Sequence, residues 1–478
     1  MTTDIYSQPN LTPDKKILSP SDTKCGRAHK FFDGAISFLE SERFVAAAFL
    51  VGFLLWFFGL TVTVVAVFSI FFMIIFCTCE DVKNAFALVF YVPFFIQDIG
   101  YNLDWQWYLA FIIPAVLSAI CFALKNILIG GKRIRKGGMF YGALVALCAF
   151  LLGGIGRFDF KTFYITFGLS VAIYFMYFVA VNFTRDFSSY FKYLLIFGAI
   201  VLSTQIIIAS IRSAVFMEEE SRRIDFYCGA NINTVAIYVL LGVVSCFFVG
   251  YKKKTDVACI LLATFFSVAI LITTCRTVMA LNVAAMLTGI IVLFIKSPKK
   301  INYIVLVVFY AVCVLIALCC FKKDIESIIY IIETKISGGS SGRSELWPWC
   351  IDRFKEYPWF GYGFVSDLVV PGVRNLEYAH IVMAHNTAIQ WLCSLGGIGA
   401  SMMVYFYLCK YGTILFSSSK DKYYALFLAG TVATTGILDQ SPTMDPFVFL
   451  IGIVFVAIVE SEENNYTDKF VCSLKSFS

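Results

Sequence analysis

FVAAAFLVGFLLWFFGLTVTVVAVFSIFFMIIFCTC, residues 44–79, is one continuous apolar run. A helix crossing a membrane needs about 20 residues, so the run is too long for one span and reads as two, divided near Gly59. The rest of the chain repeats the pattern. Hydrophobic residues make up 59% of its 478 positions and charged residues 15%, and the mean hydropathy is +0.80. A soluble protein of this length has no interior large enough to hide so much apolar surface, so the composition specifies an all-α polytopic membrane protein.

Further spans read at roughly 84–98, 106–128, 138–155, 162–181, 191–209, 232–250, 256–274, 277–295, 301–320, 381–409, 423–438 and 446–459, about fourteen in all. This divides the chain into a polar N-terminal segment (1–43), eleven spans (44–320), a long polar loop (321–380), three closing spans (381–460) and a tail (461–478). The polar first segment precedes the first apolar run, which argues for an uncleaved first helix rather than a signal peptide. The 16 cysteines sit mostly inside apolar runs and imply no disulfide framework. With no CxxC pair and no His/Cys cluster, neither a metal nor a cofactor is expected.

The net charge of +6 is read by location, not as a sign of nucleic-acid binding. Lys132, Arg133, Arg135 and Lys136 share one short loop, and Lys252 to Lys254 share another. Lys296, Lys299 and Lys300 mark a third, and Lys410, Lys420 and Lys422 a fourth. Counting spans puts all four on one side, which the positive-inside rule makes cytoplasmic, with both termini.

The opposite side holds the one long polar insertion, within Ser337–Gly399, and arginines of its own. These are Arg212, Arg222, Arg223, Arg276, Arg343, Arg353 and Arg374. A guanidinium keeps its charge and offers a planar fork to phosphate oxygens. Arg276 stands between two apolar spans, where an ionisable group is a functional candidate, although an arginine there also snorkels to head groups. Arg222 and Arg223 are alternatively paired with Glu218, Glu219 and Glu220 in a solvated loop. Arg343 follows Gly338-Gly339-Ser340-Ser341-Gly342 and precedes a short amphipathic helix over Glu345–Glu356, with Ser344 as its expected cap and Pro348 in its first turns. Arginine beside a helix N-terminus makes an anion site from side chain and backbone together.

Of three histidines, His29 lies in the N-terminal segment, and His380 and His385 lie where the long loop enters the next span. His385 adjoins Asn386 and ranks first. Nearby positive charge disfavours imidazolium, so the ring is expected to stay neutral and accept a proton. Trp347, Trp349 and Trp359 read as interfacial anchors, with stacking on sugar rings as the second reading and Trp347 as its candidate.

Four pieces occur in one order on the outer face. They are Arg223 with Gly229 and Asn231; Thr274-Cys275-Arg276; Gly342-Arg343 followed by Pro358 and Gly361-Tyr362-Gly363; and His385-Asn386 followed by Gly396 and Gly399. In this the chain resembles the O-antigen ligase and polymerase superfamily of bacterial envelope glycosyltransferases, over roughly Arg222–Gly399. It departs from the family's pattern at Cys275, where many relatives have serine, and at Ala230, near which a proline often stands. The resemblance implies a GT-C-like fold in the bacterial inner membrane. It implies inverting, metal-independent transfer of a glycan from undecaprenyl diphosphate, at a site on the periplasmic face. Arg276 and Arg343 would hold the diphosphate, with Arg223 and Arg222 assisting. His385 would act as base on the acceptor hydroxyl, or orient it, and Asn386, Arg353 and Trp347 would complete the substrate site. The acceptor would be a lipid A–core sugar for a ligase, or a second lipid-linked glycan for a polymerase. A flippase or transporter predicts charged residues at mid-span, where these spans carry few. A structural scaffold leaves the arginines and His385 without a role.

Overall fold

A computed structural model describes residues 24–96, 105–131, 134–155, 160–216, 232–252, 256–296, 300–303 with 305, 308 and 312, 343–364, 384–438 and 448–461. The described residues are helical, without strands. In chain order the helices are α1 (Lys24–Glu40), α2 (Glu42–Phe57), α3 (Thr61–Thr78), α4 (Lys83–Phe95), α5 (Trp105–Leu124), α6 (Phe140–Leu152), α7 (Phe160–Asn182), α8 (Phe187–Phe216), α9 (Ile232–Lys252), α10 (Asp256–Thr273) and α11 (Arg276–Lys296). They continue with α12 (Arg343–Glu356), α13 (Thr387–Phe416) and α14 (Lys422–Leu438), and with α15 (Val448–Ser461).

The run over 44–79 does divide at Gly59, which lies between α2 and α3 with φ 71°. Among the described residues, five helices are long and apolar enough to cross a membrane: Thr61–Thr78, Phe187–Ile211, Ile232–Tyr251, Arg276–Lys296 and Thr387–Phe416. Shorter apolar helices among the described residues include Lys83–Phe95, Phe140–Leu152 and Val448–Ser461. The all-helical chain is therefore consistent with a polytopic membrane protein.

Packing follows the rules of a lipid solvent, in which helices gain little from hydrophobicity and associate where small residues let them approach. Gly242 of α9 faces Ala199 of α8 so closely that an added Cβ would lie 2.2 Å from the alanine's own. Helix α4 is buried nearly all round and carries rings into the core, with Tyr91 edge-on to Phe49 at 4.6 Å and Phe94 edge-on to Tyr238 at 4.7 Å.

Polar contacts sort the helix ends into two sets. At one end the start of α8 meets the α13–α14 link: buried Lys192 pairs with buried Asp421 at 2.6 Å, and Ser188 donates to the same carboxylate. There Tyr424 of α14 bonds Ser245 near the end of α9 at 2.8 Å. Buried Glu460 of α15 accepts from Gly138 N–H and, at 3.1 Å, from Tyr177 Oη. The Glu40 carboxylate, at the end of α1, accepts from Glu80 N–H at 2.9 Å, and Glu80 pairs with Arg185, between α7 and α8, at 2.9 Å. Lys296, ending α11, reaches Tyr251, ending α9. Every described member of the four lysine- and arginine-rich clusters falls at or near this end.

Among the described residues, Asp81 is the buried carboxylate in the α3–α4 link, paired with Lys83 at 2.8 Å. Burial pushes its carboxyl above the usual carboxylate range, with Lys83 acting in the opposite sense.

Candidate functional site

The opposite end is built from five elements. Helix α14 runs away from Tyr424, so its last turn lies there, and Asn386 donates its amide to Ile437 O at 3.0 Å while Thr387 donates to Gly436 O at 2.8 Å. The start of α13 is thereby fixed at this end. Helix α9 begins here, since its late residues meet the start of α14. Helix α10 turns back from the end of α9 and brings the link Thr274–Cys275 and Arg276 to the same end. Helix α12 joins through Trp347, whose indole N–H donates to Ala384 O at 2.8 Å.

A wedge holds this end together. The turn 357–364 is inserted into α13, which is broken at Gly396 (φ 68°, ψ −174°). Tyr362 N–H donates to Cys393 O at 2.7 Å and Gly363 N–H to Ser394 O at 3.2 Å. Gly397 N–H donates to Pro358 O at 2.7 Å and Ile398 N–H to Trp359 O at 3.2 Å. Groups that a helix break leaves open are thus satisfied by protein, as a broken helix in a bilayer demands. Phe360 O accepts from Gly154 N–H, beyond α6, at 2.7 Å.

The candidate base sits on strained backbone. His385 has φ 51° and Thr274 φ 53°. Left-handed backbone is uncommon for residues other than glycine and marks an outlier for a β-branched threonine. Such conformations persist where the surroundings over-determine them, and they cluster at functional sites. Around His385 the constraint is visible on both sides. Ala384 O is held by Trp347, and Ala384 N–H donates to the buried Gln390 Oε1 at 2.7 Å. The Gln390 amide in turn donates to Ser394 Oγ at 2.7 Å. Asn386 caps α13, its side chain accepting from Ile389 N–H at 3.1 Å. A small cluster of Leu346, Cys350, Tyr362, Ala384 and Cys393 packs beneath, with Trp349 and Ile389 against it.

The expected site residues are placed as follows. Trp347, His385 and Asn386 come together in this cluster. Arg353 pairs with Glu356 at 2.6 Å and lies over the rings of Trp349 (5.8 Å) and Tyr362 (5.9 Å). Its contacts among the described residues tie α12 to the wedge. Arg276 opens α11, half-buried, at the same end as His385. Arg343 opens α12, and its side chain lies outside the described residues. Arg222 and Arg223 lie outside them as well, between the end of α8 and the start of α9. Ser344 falls within α12 rather than before it, because the helix begins at Arg343. Pro348 lies in the second turn of α12. Among the described residues, no three His, Cys, Asp or Glu side chains come together as a metal site.

Sequence reasoning missed Gln390, an amide in an apolar helix with no local signal, and the wedge, whose only trace is the glycines at 361, 363 and 396. A search of curated proteins finds no match. Residues 257–404, a little under a third of the chain, match a protein-family model described as O-antigen ligase. That segment spans α10, α11, α12 and most of α13, and includes Arg276, Arg343 and His385. Over this segment the chain is similar to the O-antigen ligase family.

Proposed function

We propose that this O-antigen ligase/polymerase-type membrane enzyme transfers a glycan from undecaprenyl diphosphate to an acceptor sugar by the ligase reaction. In this reading the site faces the periplasmic side of the bacterial inner membrane. The observation that carries it is the gathering of three elements at one end of the bundle. These are the turn before Arg276, the helix opened by Arg343 and the strained segment at His385. The basic clusters lie at the other end, as the positive-inside rule requires of a cytoplasmic face.

Arg276 and Arg343 are assigned to the diphosphate, with Arg222 and Arg223 assisting. The acceptor hydroxyl oxygen attacks the anomeric carbon as the carbon–oxygen bond to the diphosphate breaks. The bonding pair leaves on the diphosphate, and the hydroxyl proton passes to the His385 imidazole. Attack opposite the leaving group inverts the anomeric centre. Stabilising the departing charge with fixed cations is worth about 3–4 kcal/mol per group, and a positioned base contributes roughly 10²–10⁴-fold. No step calls for a metal. The energy resides in the lipid-linked donor, since ATP is confined to the cytoplasm.

The second reading, a repeat-unit polymerase, differs only in acceptor. Reconstitution with a lipid-diphosphate glycan donor tests both. His385→Ala and Arg343→Ala are expected to reduce transfer by at least about 10²-fold, and variants with the normal rate would end the assignment. Transfer to a lipid A–core acceptor supports the ligase, and elongation of the donor alone supports the polymerase.

A further inference from the structure

We infer that Trp347 and Gln390 are positioning residues that hold His385 in its reactive orientation and register it against the helix carrying Arg343. This rests on the proposed role of His385. The two side chains grip one residue, Ala384, from opposite elements, on the two peptide groups that flank it. Trp347, on α12, donates to Ala384 O at 2.8 Å, and Gln390, on α13, accepts from Ala384 N–H at 2.7 Å. Gln390 is fully buried, and its amide is fixed in turn by Ser394 Oγ at 2.7 Å. The residue clamped next is His385, at φ 51°. A histidine free to relax would leave that region, and its ring would swing with the backbone. Trp347 sits four residues beyond Arg343 on the same short helix. The bond from its indole therefore sets the spacing between the helix that carries the cation and the base.

Misplacing a catalytic group by about 1 Å costs on the order of 10²-fold in rate. Trp347→Phe, which keeps an aromatic ring and loses the N–H, and Gln390→Met, which keeps the length and loses the amide acceptor, are the variants. Each is expected to lower kcat about 10- to 100-fold, with KM for the lipid-linked donor within about twofold. Gln390→Glu retains an acceptor for Ala384 N–H, since the Ser394 hydroxyl can turn to donate, and is expected to recover most of the rate. In a His385→Ala background neither Trp347→Phe nor Gln390→Met lowers the residual rate further, because groups acting as one unit are not additive. Thermal midpoints of the purified full-length variants verify the fold.

Wild-type kcat in both variants, a rise in KM alone, or an equal loss in the His385→Ala background would overturn the inference. Failure of Gln390→Glu to recover would do so too. Where the residual rate in that background is below detection, the kcat–KM split and the Gln390→Glu recovery decide. Loss of transfer in His385→Ala with none in the positioning variants sinks this inference alone. Full transfer by His385→Ala sinks the assignment of His385 with it.

Discussion

Replacing Gly396 with alanine is expected to damage the protein far more than the same change at Gly397, one residue on. At φ 68° and ψ −174°, Gly396 occupies a region open essentially to glycine alone, where a side chain costs roughly 1–3 kcal/mol. A Cβ there would also stand 2.4 Å from Trp359 O and 2.5 Å from Gly361 N, both backbone atoms. Relief requires the inserted turn to withdraw, which breaks the bonds from Gly397 to Pro358 and from Ile398 to Trp359. Two such bonds are worth about 1 kcal/mol each, so the expected loss is about 3–5 kcal/mol. That is a large share of the ~5–15 kcal/mol that typically separates folded from unfolded protein. At Gly397 the nearest obstacle is Pro358 O at 3.4 Å, and the backbone needs no special φ. Gly397→Ala is therefore expected within about 1 kcal/mol of wild type. Equilibrium unfolding of both variants in detergent micelles, followed by tryptophan fluorescence, makes the comparison. Equal stability of the two would refute the wedge.

Asp421→Ala leaves Lys192 buried without its ion-pair partner and is expected to cost about 3–5 kcal/mol in the same unfolding assay. The double change Lys192→Met with Asp421→Leu should recover much of it. Asp81 binds its proton more tightly folded than unfolded, so its contribution to stability is full below the usual carboxylate value and declines as pH rises through the raised one. Thermal midpoints of Asp81→Asn should accordingly fall less with rising pH than those of wild type, starting just above the usual carboxylate value, and parallel profiles would contradict this. Cys350 and Cys393 are fully buried, so both should resist a maleimide in the folded protein and react only after denaturation, as read by mass spectrometry of the labelled peptides.

Much of the helix pattern is legible in the sequence, because each apolar run must become a helix and the glycine at 59 has to break the first one. The described members of the charge clusters lie at the end away from His385. What escapes is what depends on a distant partner. The residues of α13 look like one continuous helix, yet its break at Gly396 is filled by a turn more than thirty residues upstream. The helix also starts at Thr387 and not near 381, because Asn386 caps it and bonds to α14. Trp347 and His385 were legible as site candidates from residue type. Their connection through Ala384 was not, because it runs through a backbone carbonyl that no pattern of side chains reveals.

The buried ion pairs and carboxylate contacts described at the basic end fasten the helices there as a hub fastens spokes. The far end is held instead by hydrogen bonds to backbone, those of the turn 357–364 with α13 and those of Trp347 and Gln390 with Ala384. Evolution can therefore vary other side chains at that end to suit a different substrate while leaving the hub untouched.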